Sequence, residues 1–79
     1  MLSGRQKIER LGFDPDEFWD DVIRLDDLIM SNYTEKNLKE NVYPYLKFLK
    51  KKYGFDIPIN FMGLDVVRLD GVLSSLVNE

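Results

Sequence analysis

The sequence predicts an all-α domain of four helices, arranged as two related helical hairpins, with no β-sheet. The first observation is an internal repeat, because the hexapeptide Asp-Val-Ile-Arg-Leu-Asp at 21–26 returns at 65–70 with Val in place of Ile. Each copy follows a Gly-Phe-Asp triplet and a proline, so the repeated unit covers residues 12–31 and 54–75 of one 79-residue domain. The second observation is an apolar spacing of three and four residues, which is typical of one helix face. Such a repeat fixes the architecture.

The first two helices have clear start and stop signals. Ser3 can cap a short helix that runs to about Leu11 and stops at Gly12. A second helix should run from Pro15 to about Met30, since an Asp-Pro pair followed by Glu17 is a typical start. The core face predicted for this second helix consists of Phe18, Val22, Leu25 and Ile29.

The third helix should start at Thr34 and end at Gly54. Pro44 interrupts it, either as a kink or as a restart capped by Asn41, because proline is tolerated in a first helical turn. The residues predicted to share its apolar stripe are Leu38, Val42, Leu46, Leu49 and Tyr53.

The fourth helix is expected to begin near Pro58 or Asn60 and to reach about Val77. Gly63 and Gly71 would then lie inside it and would mark a close approach to a neighbouring helix, because each costs a helix about 1 kcal/mol relative to alanine. The predicted apolar stripe of this helix is Met62, Val66, Leu69, Leu73 and Leu76.

Composition narrows the class of protein. The chain is 44% apolar and 32% charged, as expected of a soluble globular domain. It contains no cysteine and no histidine, which removes disulfides, thiolate metal sites and the usual general base near neutral pH. No apolar run is long enough for a membrane span and the N-terminal residues turn polar at once, so we expect a cytoplasmic protein.

Charge is distributed unevenly along the chain. Residues 1–30 carry four basic and eight acidic side chains, whereas residues 31–56 carry six lysines and three acids. These two regions can attract each other within the fold, or they can offer two surfaces to partners. We therefore keep a homo-oligomer among the expectations, since so small a domain has a thin core.

The stretch Tyr33-Thr34-Glu35-Lys36-Asn37-Leu38 resembles the signature that opens the third helix of MerR-type helix-turn-helix domains. The following residues, 46–58, are similar to the basic helix, glycine turn and next helix of that family, and the resemblance covers most of residues 8–76. The sequence looks closest to the CbpM chaperone-modulator branch, whose members regulate a DnaJ-like co-chaperone. The resemblance thus implies a helix-turn-helix-like regulator with a J-domain as its partner.

The second helix argues against binding to duplex DNA. Its exposed positions are mostly acidic, with Arg24 as the basic exception. DNA binding is driven by lysine and arginine side chains that displace counterions, so these carboxylates would oppose it. The acids Glu17 and Asp20, together with Asp16 or Asp21, have the oxygen ligands that a hard cation such as magnesium prefers. No second carboxylate pair completes such a site, and we expect no metal, no cofactor and no catalytic residue.

We therefore expect a non-enzymatic, acidic protein-interaction or regulatory module that binds a partner with a basic surface. Trp19, the only tryptophan, belongs either to the core or to this interface. In the repeat, we expect ion pairs between Asp and Arg at a spacing of three. Asp26 and Asp70, the last residues of the two hexapeptides, take no part in these pairs and are available for a contact that relates the two halves by pseudo-symmetry. The predicted partner-binding residues are Trp19, Ile23 and Met30 as apolar anchors, with Asp16, Asp20 and Asp27 to steer the partner.

Two alternatives remain open. The first is a nucleic-acid-binding regulator, in which a basic segment interleaved with aromatic residues contacts a single strand. The second is a self-associating structural protein of the small viral or phage type, whose apolar surface is filled by its own copy. The residues proposed for the nucleic-acid alternative are Lys47, Lys50, Lys51 and Lys52.

Overall fold

A computed structural model describes residues 1–78. In this range the chain is mostly helical, as predicted, and none of its helices is long and apolar enough to cross a membrane. The expectation of no sheet is wrong, because two short strands form an antiparallel hairpin. The elements are, in chain order, α1 (Gly4–Arg10), α2 (Pro15–Ser31), α3 (Glu35–Asn37), a π-helical turn (Leu38–Val42), α4 (Tyr43–Tyr53), β1 (Ile59–Asn60), β2 (Gly63–Leu64) and α5 (Val66–Leu76).

The predicted starts of the first two helices are confirmed. At α1, the Ser3 hydroxyl accepts a hydrogen bond from the Gln6 N–H at 3.1 Å, while the Gln6 side chain accepts one from the Ser3 N–H at 2.8 Å. This reciprocal pair satisfies two backbone donors that a helix start leaves unpaired. At α2, the Asp14 carboxylate accepts a hydrogen bond from the Asp16 N–H at 2.9 Å, and Pro15 occupies the first helical position.

The third helical segment is continuous from α3 to α4 and contains the predicted interruption. Pro44 is the second residue of α4, and the π-helical turn directly before it accommodates a residue that lacks an N–H. The proposed cap at Asn41 is wrong, because its side chain instead donates to the Asn37 side chain at 2.8 Å. Gly54 ends α4 in the left-handed conformation, with φ of 84°.

The segment between Pro58 and Asp65 is the main departure from the prediction. A helix beginning near Pro58 or Asn60 is wrong, since this stretch forms the β-hairpin and α5 begins at Val66, capped by Asp65. Gly63 therefore lies in a strand and not inside a helix, with φ of 126°, a conformation that favours glycine. The hairpin turn consists of two residues, Phe61 and Met62, which both lie in the range predicted for the fourth helix.

The core lies between the helices and follows the predicted face of α2. Phe18, Val22, Leu25 and Ile29 are fully buried there. Of the five residues predicted for the apolar stripe of the fourth helix, only Leu69 and Leu73 are buried, whereas Met62, Val66 and Leu76 are exposed. The other buried apolar residues are Ile8 from α1, Val42, Leu49 and Tyr53 from the third segment, and Ile57 before the hairpin.

A buried lysine joins the two ends of the described chain. The Lys7 side chain is 5% exposed, and its ammonium donates to the Asp70 carboxylate at 2.9 Å and to the Ser74 hydroxyl at 2.7 Å. These bonds attach α5 to α1. Asp70 therefore has a role inside the fold, in place of the pseudo-symmetric contact suggested by the repeat.

Candidate protein-binding face

One exposed side of α2 carries five of the six predicted partner-binding residues. They are spaced by four, three, four and three residues, which places them within about 80° of the helix circumference. This stripe lies roughly opposite the buried face of the helix, and all five residues are exposed. We call it the acidic face, and its members are Asp16, Asp20, Ile23, Asp27 and Met30.

Trp19 lies at the edge of this face and not within it. The side chain is half-buried and packs against the core, with its ring centroid 5.9 Å from that of Phe18. It also contacts α1, because a Cβ built on Gly4 would lie 3.8 Å from the Trp19 ring. The indole therefore contributes to packing between α1 and α2.

Met30 joins an exposed apolar group at the C-terminal end of the acidic face. The residues of this group surround an open cleft of about 240 Å³. Four of them remain largely exposed, from 54% for Tyr33 to 72% for Phe61. We call this site the methionine cleft, and it is lined by Ile29, Met30, Tyr33, Phe61 and Met62.

The hairpin brings Phe61 and Met62 to α2, and one carboxylate holds it there. Asp26 accepts a hydrogen bond from the backbone N–H of Leu64 at 2.8 Å. Gly63 allows this approach, since a Cβ at that position would lie 2.1 Å from the Asp26 carboxylate oxygen. Tyr33, Phe61 and Met62 are site residues that the sequence pattern did not indicate, although Pro58 and Gly63 are signals of a break in the helix.

The acidic face keeps an excess of negative charge. Asp16 forms an ion pair with Arg5 at 2.8 Å, and this hydrogen bond lowers the pKa of the Asp16 carboxyl. Within residues 1–78, Asp20 and Asp27 form neither an ion pair nor a side-chain hydrogen bond. Arg24 lies beside this stripe and offsets only part of its charge. The two unpaired carboxylates are therefore available to a basic partner.

A hydrogen-bonded group on another side of α2 links this helix to α4. Asp21 accepts from the Lys52 ammonium at 2.7 Å and from the Tyr53 hydroxyl, while the Tyr45 hydroxyl donates to the Asp21 carbonyl at 2.9 Å. Burial raises the pKa of the Asp21 carboxyl, but the bonds from Lys52 and Tyr53 outweigh it, so this pKa lies below its ordinary value. Burial and the bond to Asp21 raise the pKa of Tyr53.

Only one of the two Asp-Arg pairs expected in the repeat forms. Asp65 and Arg68 do approach, at 3.8 Å. The expected Asp21–Arg24 pair is wrong, because the Asp21 carboxylate is taken by Lys52 and Tyr53. Spacing along one helix did not reveal these stronger partners on a neighbouring helix.

Two of the four lysines proposed for the nucleic-acid site form ion pairs with acidic side chains, and the other two do not. Lys52 bonds to Asp21 on α2 and lies 3.6 Å from the Glu17 carboxylate. Lys50 lies 3.3 Å from the Asp56 carboxylate. Lys47 and Lys51 are exposed and, within the described part of the chain, have no ion-pair partner.

The carboxylates of the described residues do not converge in any group of three or more that could hold a metal ion. Comparison with protein-family models, characterised proteins and solved structures finds no match to this chain. The resemblance to MerR-type domains and to their CbpM branch therefore stays a prediction.

Proposed function

We propose that this domain is a non-enzymatic protein-interaction module that binds a basic protein surface through the acidic face and the methionine cleft. The observation that carries the proposal is the cleft itself. Large apolar side chains from α2 and from the hairpin meet there and stay exposed, although the core buries comparable side chains fully. Clustered exposed apolar surface beside charged residues is typical of a binding site.

The chemistry of the cleft suits an apolar anchor on the partner. Two of its five side chains are methionines, which are flexible and polarizable and therefore adapt to different contact shapes. Tyr33 and Phe61 add aromatic surface of the kind enriched at interfaces.

The unpaired carboxylates of Asp20 and Asp27 suit a basic partner. Charges at the rim of an interface mainly increase the association rate, and salt screens their effect. Binding should therefore weaken as ionic strength rises, while the apolar contact in the cleft should persist. A J-domain, the partner that the resemblance implies, stays a prediction.

An unbiased peptide selection tests this proposal. The native domain is immobilised and presented with a displayed library of random 16-residue peptides (about four helical turns), and selected peptides are titrated by fluorescence anisotropy. We expect peptides that contain lysine or arginine together with an aliphatic or aromatic residue. Their affinity should fall about tenfold or more for the Met30→Ser/Phe61→Ser variant, since truncation of central apolar contacts costs at least about 1–2 kcal/mol.

A matched control separates the cleft from exposed apolar surface in general. Leu76 is 46% exposed and lines a different groove on α5, so Leu76→Ser should leave peptide affinity unchanged. Equal affinity of the selected peptides for the native and Met30→Ser/Phe61→Ser proteins would show that the cleft is not the binding site. Failure to select any peptide would also count against the proposal.

A further inference from the structure

We infer that a second copy of this chain can occupy the acidic face, with α4 of one copy lying antiparallel against α2 of the next. This inference rests on the proposed function, because it names a partner for the same face. It arises from a second exposed surface, which is basic and aromatic and lies on the outer side of α4.

The basic face of α4 consists of Tyr43, Lys47, Phe48 and Lys51. Tyr43 and Phe48 are about half exposed, at 49% and 52%, and both lysines are exposed. At 3.6 residues per turn, Tyr43, Lys47 and Lys51 point away from the buried side that carries Leu49. Lys47 and Lys51 lack ion-pair partners among the described residues, as Asp20 and Asp27 do on α2.

The order of charged and apolar residues is the same on the two faces when the helices are followed in opposite directions. On α2, Asp20, Asp27 and Met30 follow one another over ten residues, which is about 15 Å at 1.5 Å per residue. On α4, Lys51, Lys47 and Tyr43 follow in the reverse direction over eight residues, or about 12 Å.

Two antiparallel helices can therefore place Lys51 near Asp20, Lys47 near Asp27, and Tyr43 at the methionine cleft. The flexible four-carbon stem of lysine covers the remaining offset of a few ångströms. A parallel arrangement would place Tyr43 beside Asp20 and Lys51 beside Met30, which pairs charge with apolar surface. The charge pattern thus selects the antiparallel orientation.

The two faces cannot meet within one chain, because each lies opposite the buried side of its own helix. Contact between copies is therefore heterologous, with the acidic face of one copy bound to the basic face of the next. Such a contact leaves a free face at each end of a dimer. Association should consequently continue with concentration, into a closed ring or an open chain.

Sedimentation velocity with a pair of complementary variants tests this inference. Asp20→Lys/Asp27→Lys disables the acidic face, and Lys47→Glu/Lys51→Glu disables the basic face. We expect the native chain to associate with rising concentration and to dissociate with added salt, while each variant alone associates about tenfold or more weakly. Mixed together, the two variants should associate again, because the native face of each meets its native counterpart on the other and the two reversed faces also carry opposite charges.

The control variant Arg10→Glu/Arg68→Glu changes the net charge by the same amount as Lys47→Glu/Lys51→Glu, but on α1 and α5, outside both faces. It should associate like the native chain. Circular dichroism of every variant confirms that the fold is retained.

Several results would overturn the inference. One is a native chain that remains monomeric up to about 1 mM, where even a millimolar contact becomes visible. Another is association of both variants to the native extent. A third is a mixture of the variants without heterodimer, which would show that the faces do not bind each other. Peptides selected through the methionine cleft would still support the proposed function in all three cases, so the two claims fail separately.

Discussion

Replacement of Gly63 by alanine should disrupt the contact between the hairpin and α2. Gly63 has φ of 126°, a backbone conformation that an L-residue with a side chain rarely adopts. An added Cβ would lie 2.1 Å from Asp26 Oδ1 and 3.1 Å from its Cγ, far inside van der Waals contact. The Asp26 carboxylate cannot simply move away, because it accepts the Leu64 N–H at 2.8 Å.

The expected cost combines two effects. Backbone strain at a positive φ contributes about 1–3 kcal/mol. Displacement of the Asp26 carboxylate gives up a charge-assisted hydrogen bond worth about 1.5–3 kcal/mol. Their sum, about 2.5–6 kcal/mol, is a large part of the whole stability of a domain of this size, which is about 4–12 kcal/mol. Gly63→Ala should therefore lower the urea midpoint strongly, or it should detach the hairpin and abolish peptide binding at the methionine cleft.

Urea titration monitored by circular dichroism measures this effect, with Gly71→Ala as the control. Gly71 lies inside α5 with open space around the position of a Cβ, so alanine there should stabilise the fold by about 0.4–1 kcal/mol. Asp26→Ala/Gly63→Ala should be less destabilised than the sum of its single changes, because removal of the carboxylate relieves the overlap. A Gly63→Ala protein within about 0.5 kcal/mol of the native one, with peptide binding intact, would refute this reasoning.

Three further changes test the contacts between helices, each by urea titration. Asp21→Asn should cost about 1–2 kcal/mol of stability at pH 7. Because the pKa of the Asp21 carboxyl is lower in the folded state, the native protein should keep this extra stability above the unfolded pKa near 3.9 and lose it as pH falls further. Tyr53→Phe should cost about 1–2 kcal/mol, and because folding raises the Tyr53 pKa, this difference should narrow above about pH 10. Asp70→Asn should cost about 1 kcal/mol, since this carboxylate is 60% exposed and partly screened, and Lys7→Met should cost less because an apolar side chain of similar length then fills the buried site while the exposed Asp70 carboxylate stays solvated. Equal stability of the native and changed proteins at pH 7 would contradict the role assigned to each residue.

Helix faces and helix ends were predictable from the sequence because they depend on local order. The buried face of α2 follows directly from its spacing of three and four residues, and Ser3, Asp14 and Gly54 act as predicted. The hairpin was not predictable in this way, since strands of two residues are too short to show alternation. Met62 and Val66 also fit the period of the following helix and thereby concealed the strands.

The candidate site was predictable only in part for the same reason. Residues of the acidic face share one helix, so their spacing alone places them together. The methionine cleft requires Phe61 and Met62 to reach Met30, and that contact depends on Asp26 and Leu64, which are 38 residues apart in the sequence. A distance along the chain of this size has no local signature.

The repeated hexapeptide shows how one sequence serves two different positions. The first copy lies within α2, where Val22 is fully buried, whereas the second straddles the start of α5, where the equivalent Val66 is 59% exposed. The final aspartate of each copy nevertheless has a comparable task, because Asp26 holds β2 and Asp70 holds α1 through Lys7. Both carboxylates are therefore used inside the fold. The acidic face keeps the charge of Asp20 and Asp27, whose counterparts in the second copy are the uncharged Leu64 and Gly71. The acidic face accordingly belongs to α2 alone and has no counterpart on α5.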